Sequence, residues 1–181
     1  MKKTKILDDF KNVFNYIKNK DIRSTVRQII IKAPRYFWTV DNKELQKMVI
    51  NAVNMLLLLN NKFDLSEEEL DICISSIILA NMCQYSATEE IWRDQDIVED
   101  HPNAVLKYLK KKCMNEISYL NTIGVYKRIA TCIHLHESKI GSEPLDKLSI
   151  IVNLSFFLCS LDLSEGNKEL TFEDLIYPNI F

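Results

Sequence analysis

The sequence predicts an all-α protein, a single compact helical domain of about seven to eight helices. Three observations carry this expectation. Only three glycines and four prolines punctuate 181 residues, too few turn signals for a fold of many strands. Apolar residues recur every three or four positions along most of the chain, and no pair of alternating segments reads as a hairpin. A hydrophobic content of 47% over this length is enough for one sizeable core, and the length favours one domain.

The elements follow in order. Leu7, Phe10, Val13, Phe14 and Ile17 predict a first helix from about Thr4 to Asn19. Asp21 is expected to cap a second, whose inward face is Ile22, Val26, Ile29 and Ile30 and which Pro34 ends. Asp41 or Asn42 starts a third, with Leu45, Met48, Val49, Ala52, Val53 and Leu56 on one stripe. Ser66 with Glu69 three residues later forms a capping box for a fourth, carrying Leu70, Cys73, Ile74, Ile77 and Ile78. From Met82 to Glu99 the period breaks, and a long loop is expected; such loops tend to be functional. The fifth helix follows His101-Pro102, where proline is tolerated in the first turn, and runs through Val105, Tyr108 and Leu109. A sixth spans about Tyr126 to Glu137. Asp146 opens a seventh, apolar nearly all round from Leu148 to Leu161, which is expected to be the buried central helix. A short turn at Phe172–Leu175 ends the chain.

The formal net charge is -2 and the pI near 6.0, so no global field draws the chain to nucleic acid or anionic lipid. Lys107, Lys110, Lys111 and Lys112 make a small basic cluster, read as the solvated face of a helix. There are five cysteines and no Cys-x-x-Cys spacing; Cys73, Cys132 and Cys159 sit in apolar runs, where a thiol behaves as a small hydrophobe. The start Met1-Lys2-Lys3 lacks the apolar segment of a secretion signal, and the longest apolar stretch, Met55–Leu59, is far too short to span a bilayer. The expectation is a cytoplasmic protein with no membrane partner.

Leu79-Ala80-Asn81-Met82 closes an apolar helix, and His101-Pro102, His134-Leu135-His136 and the apolar run Ile150–Ser160 follow. That order, from Lys32 to Ser160, resembles the HD-domain metal-dependent phosphohydrolases, in particular a small version common in bacteriophage genomes. The resemblance implies an HD-like core over 34–162, with N-terminal helices at 1–33 and a tail at 163–181. In that family the helix ends in adjacent His and Asp, both metal ligands; here the pair reads Ala80-Asn81. Matching Asn51-Ala52-Val53 to the family's apolar stretch puts Met48 where its first metal histidine stands. Aligning Ile151-Val152-Asn153-Leu154-Ser155 through Ser160 puts Phe156 at its last ligand, an Asp. All four single-metal positions, Met48, Ala80, Asn81 and Phe156, are thus substituted. His101 and His136 remain as a residual pocket; in two-metal members these histidines help hold the second ion.

The chemistry of these residues points away from a hydrolytic centre. A dehydrated hard ion needs compensating charge, which carboxylates supply. Asn81 keeps an oxygen without the charge, Phe156 offers a ring and Met48 a soft thioether, and the plain expectation is that Met48 and Phe156 fill core. His134 and His136 point about 200 degrees apart on a helix, so they do not share one ion. A set of His101, His136 and Glu137 would offer three ligands, but neighbouring helical side chains diverge. No glycine-rich phosphate loop, nucleophile elbow or zinc-knuckle spacing occurs. Trp92 with Asp94, Asp96, Glu99 and Asp100 forms an acidic, aromatic run in the long loop, read either as solvated surface or as a protein-binding edge.

The expected function is therefore that of a catalytically inactive HD-like protein, without metal or other cofactor. Its use of Ile, Asn and Lys suggests a low-GC genome and the resemblance a phage. The expected partner is a host protein, bound in host takeover or in countering host defence, in the host cytoplasm. Two alternatives stand beside it: a noncatalytic binder of a nucleotide or signal molecule in the old pocket, and a phosphohydrolase with a remodelled metal site.

Overall fold

Ten consecutive residues of one helix, Asp71 to Ala80, are buried, and the other helices are arranged to cover them. The computed structural model describes residues 11–33, 43–82, 101–136 and 146–160, with the side chains of 11, 43–45, 101 and 160 excepted. Among the described residues there are eight helices and no strand: α1 (Lys11–Asn15), α2 (Lys20–Ile31), α3 (Lys43–Phe63), α4 (Glu67–Ala80), α5 (His101–Lys112), α6 (Met114–Thr122), α7 (Tyr126–Leu135) and α8 (Lys147–Ser160). The all-α expectation holds. No helix among the described residues is long and apolar enough to cross a membrane.

The central helix is α4, not the segment from Leu148 expected from composition. α4 packs against α2, α3, α5, α7 and α8. α8 keeps Phe156 and Phe157 half-buried and lies mainly against α3, with α4 and α7 beside it. The distinction lies in polar residues: α4 carries Ser75 and Ser76, which look solvent-facing in sequence. Both hydroxyls donate back to carbonyls four residues earlier, Ser75 to Asp71 at 2.6 Å and Ser76 to Ile72 at 2.8 Å. Satisfied in this way, small polar side chains enter a core and let neighbouring helices approach closely.

Helix ends are set by local chemistry. Ser66 and Glu69 form the expected capping box: the Glu69 N–H donates to Ser66 Oγ at 3.3 Å and the Ser66 N–H to Glu69 Oε2 at 3.0 Å. The cap of α2 is Asn19, not Asp21; Asn19 Oδ1 accepts from the N–H groups of Asp21 and Ile22. For that reason α1 ends at Asn15 rather than running on to Asn19. A helix missed in the sequence, α6, carries Ile117 and Leu120 on its buried side. Gly124, at φ 80°, closes it with two bonds, its own N–H to Asn121 and that of Val125 to the Leu120 carbonyl, which is a Schellman motif. The predicted start of the first helix, the expected loop beyond Met82, the region of Pro34 and the tail lie outside the described residues, and so does Glu137.

Three helices run parallel. Near their starts, Arg128 of α7 bonds Glu68 of α4 at 2.7 Å, and Lys147 of α8 stands 3.8 Å from Glu69. Further along, Ser149 meets Cys132 and Asn153 donates to the Leu135 carbonyl, so α7 and α8 advance together. α3 runs opposite to them, because a three-residue turn joins it to α4 and because Cys159, late in α8, donates to the carbonyl of Met48, early in α3. The C-terminal ends of α4, α7 and α8 and the N-terminal part of α3 therefore meet at one end of the bundle.

Asp71 ties the N-terminal corner to α4. Buried at 2% exposure, its two carboxylate oxygens accept the N–H groups of Lys18 and Asn19 at 2.7 and 2.8 Å. Charge-assisted bonds to backbone donors are among the stronger protein hydrogen bonds. Changing Asp71→Ala leaves two backbone donors unmet and is expected to cost about 3 kcal/mol in urea unfolding, while Ser66→Ala, at an exposed cap, costs about 1 kcal/mol.

Lys32, at the end of α2, bonds the buried Glu116 of α6 through Nζ to Oε1 at 2.7 Å. Burial by itself pushes the Glu116 carboxyl up, but the Lys32 hydrogen bond, its own backbone N–H and the Lys32 charge together hold it below the usual carboxylate value. A depressed carboxyl contributes stability that is present above its unfolded value and is lost as pH falls through the folded one. The stability difference between wild type and Glu116→Gln is therefore expected to be full at pH 7 and to shrink steadily below about pH 4.3, measured by urea unfolding at a series of pH values.

Candidate functional site

The end of the bundle where α4, α7 and α8 finish collects five of the positions singled out above. The α3–α4 hairpin places Met48 and Ala80 level with each other. From the turn, each helix rises about 1.5 Å per residue, so fifteen residues back along α3 and thirteen forward along α4 span about 20 Å. Met48 is half-buried and packs on the main core, and Ala80 is fully enclosed. Asn81, at 2% exposure, terminates α4. Its Nδ2 has no hydrogen-bond partner among the described residues.

His136 and Phe156 meet directly. Their ring centroids are 5.2 Å apart with planes inclined at 55°, within the range of favourable tilted ring packing. His136 is 3% exposed, and its Nδ1 lies 2.6 Å from the Ile133 carbonyl oxygen. Phe156 is half-buried, so it fills the core less deeply than a residue replacing a fully enclosed ligand would. Cys159, one turn further along α8, reaches the Met48 carbonyl. The chain thus joins Met48 to α8 and Phe156 to His136 through separate contacts at the same end.

His101 opens α5. α5 and α7 pack together, with the short α6 between them in sequence. The side chain of His101, like Glu137, lies outside the described residues. So do Trp92, Asp94, Asp96, Glu99 and Asp100 of the expected interaction loop. His134 is exposed, on the opposite side of α7 from the buried His136.

What these groups offer chemically is limited. Among the described residues no three His, Cys, Asp or Glu side chains gather into a set able to hold a metal ion. The residues at the family's four ligand positions do not fit a hard divalent ion. They present a thioether, a methyl group, a neutral amide and a phenyl ring, and none carries the charge that such an ion requires on leaving water. The thiols nearby are inert in the same sense: burial pushes Cys132 up to about 11 and raises Cys73 further, so neither is a thiolate near neutrality.

Sequence reasoning missed the contact between His136 and Phe156 as an interaction, although both residues were singled out. It also missed Glu116, a buried acid whose only sequence cue is its place three residues into a helix after Cys113. The basic cluster is as expected: Lys107, Lys110, Lys111 and Lys112 are exposed, three of them in the last turn of α5, where cations complement the helix dipole. In comparisons with known proteins, no family model matches this chain, and no curated protein and no solved structure matches it.

The His136–Phe156 contact is open to direct test. Phe156→Ala is expected to destabilise by about 2 kcal/mol, less than the roughly 3 to 5 kcal/mol of a fully enclosed ring, because Phe156 is half-buried. The ring current that the histidine proton signals experience would disappear in the same variant. Unchanged His136 chemical shifts would contradict the ring contact.

Proposed function

We propose that this chain is a noncatalytic, HD-like helical protein whose former metal centre has become packing, and that it acts by binding a protein partner. The observation that supports this reading is the convergence at one end of the bundle. The four positions that the HD resemblance assigns to metal ligands, together with His136, come to the same end of four helices. There they are occupied by uncharged side chains, with Phe156 packed on His136 and Met48 on the main core. A lost centre that kept its scaffold is the simplest account of that coincidence. The low-GC composition and the phage-type resemblance extend the proposal to a host protein as the partner, bound during host takeover or to block host defence.

The partner-facing surface in this proposal is the loop carrying Trp92, Asp94, Asp96 and Glu99. An aromatic anchor rimmed by charge is the composition that protein interfaces favour. Helices α4 and α5 flank it in sequence and pack together.

The test uses the intact chain. No hydrolysis of nucleotides or phosphodiesters is expected with manganese, magnesium, nickel or zinc, and a chelator should leave the melting temperature unchanged, since an ion that bound only the folded state would stabilise it. A partner captured from host lysate, identified and purified, should bind the wild type at a defined stoichiometry. Trp92→Ala combined with Asp94→Asn and Asp96→Asn should weaken that binding at least tenfold, whereas His101→Ala and His136→Ala should leave it intact once each is shown to be folded. If the histidine variants lose binding or biological effect and the loop variants keep it, the pocket becomes the working site, as a ligand trap or as an enzyme.

A further inference from the structure

On the side of the molecule formed by α2 and α6 lies a polar cleft of about 300 Å³, lined by Asp21, Ser24, Thr25, Gln28, Asn115, Glu116 and Tyr119. The α2 residues recur at intervals of three, four and seven, so they form one stripe of that helix. Two carboxylates line the cleft and no cationic side chain does. Asp21 of α2 and Tyr119 of α6 both line it. Glu116, 7% exposed, is held at Oε1 by Lys32, which is not part of the cleft lining, while Oε2 is buried with no hydrogen-bond partner among the described residues.

A buried carboxylate oxygen without a donor is costly, and native structures leave few of them. Here the residue that carries it lines the cleft, together with a second carboxylate and the neutral side-chain oxygens of Ser24, Thr25 and Asn115. We propose that this cleft is a binding site for an alkylammonium group, whose N–H donors meet Glu116 Oε2, the Asp21 carboxylate and a neutral side-chain oxygen. An ammonium suits these facts better than a divalent ion. One of the four carboxylate oxygens is already engaged by Lys32, which leaves at most three charged oxygens, fewer than a hard metal demands. A compact cation with three donors matches what remains. The volume lies at the lower end of small-ligand sites, which fits a diamine or a single inserted lysine side chain.

The test is amide chemical-shift titration of the full-length protein with putrescine, with N-acetyl-lysine amide, and with 1,4-butanediol as an uncharged match. Saturable shifts on α2 and α6 with the two amines, and none with the diol, are the expected result. Asp21→Asn, a change at an exposed residue, should weaken amine binding at least fivefold without altering the melting temperature, and Glu116→Gln should weaken it further. Tighter binding of putrescine than of the lysine derivative would identify a free amine as the ligand; the reverse order would identify a lysine side chain of a peptide. The proposal is overturned if the diol binds as well as the amines, if the shifts scatter over acidic residues elsewhere, or if Asp21→Asn leaves binding unchanged.

Discussion

The enclosure of the α4 stretch Asp71 to Ala80 is the constraint on which the rest of this structure depends. A helix buried on every side cannot present a polar stripe, so its polar residues must be satisfied within the core. Ser75 and Ser76 do this through their own backbone, and Asp71, the one charged residue in the enclosed stretch, does it by taking two backbone donors from the corner between α1 and α2. The surrounding isoleucines, Ile72, Ile74, Ile77 and Ile78, are all fully buried. At roughly 2 kcal/mol for each such side chain removed from water, they outweigh any single polar contact in the molecule.

The parallel course of α4, α7 and α8 follows from how their ends are matched. At the starting end, Glu68 and Glu69 of α4 face Arg128 of α7 and Lys147 of α8. These pairs are largely exposed and contribute little to stability individually. Their effect is on register, since reversing any one helix would separate opposite charges and bring a carbonyl-rich terminus against the Glu68–Glu69 pair. The Ser66 hydrogen bonds, aided by Lys147 and Arg128, also hold the Glu69 carboxyl below its usual value.

At the finishing end the same parallel course gathers the negative ends of two helix dipoles, at Asn81 and His136, in one region. The side chains there supply ring packing and a buried amide rather than charge, and the acidic cleft between α2 and α6 lies on a different face. The molecule thus separates a packed end, a charged register end and a polar flank. Each is governed by a different balance of burial and charge.

By itself the sequence determined the helical class, the positions of most helices, the Ser66–Glu69 box and the solvated lysines of α5. These are local matters, readable from periodicity and from side chains that bond within a few residues of themselves. It also marked His136 and Phe156 as residues of interest. Only the tertiary structure decided that α4 rather than α8 is central, because serine hydroxyls bonded to their own helix are polar in sequence and neutral in a core. Only the tertiary structure made Asn19 the cap of α2, since Asp71, more than fifty residues away, holds the backbone there. The same holds for the pairing of Glu116 with Lys32, 84 residues apart, and for the His136–Phe156 contact: which side chains meet depends on how helices are laid side by side, and no short-range pattern encodes that.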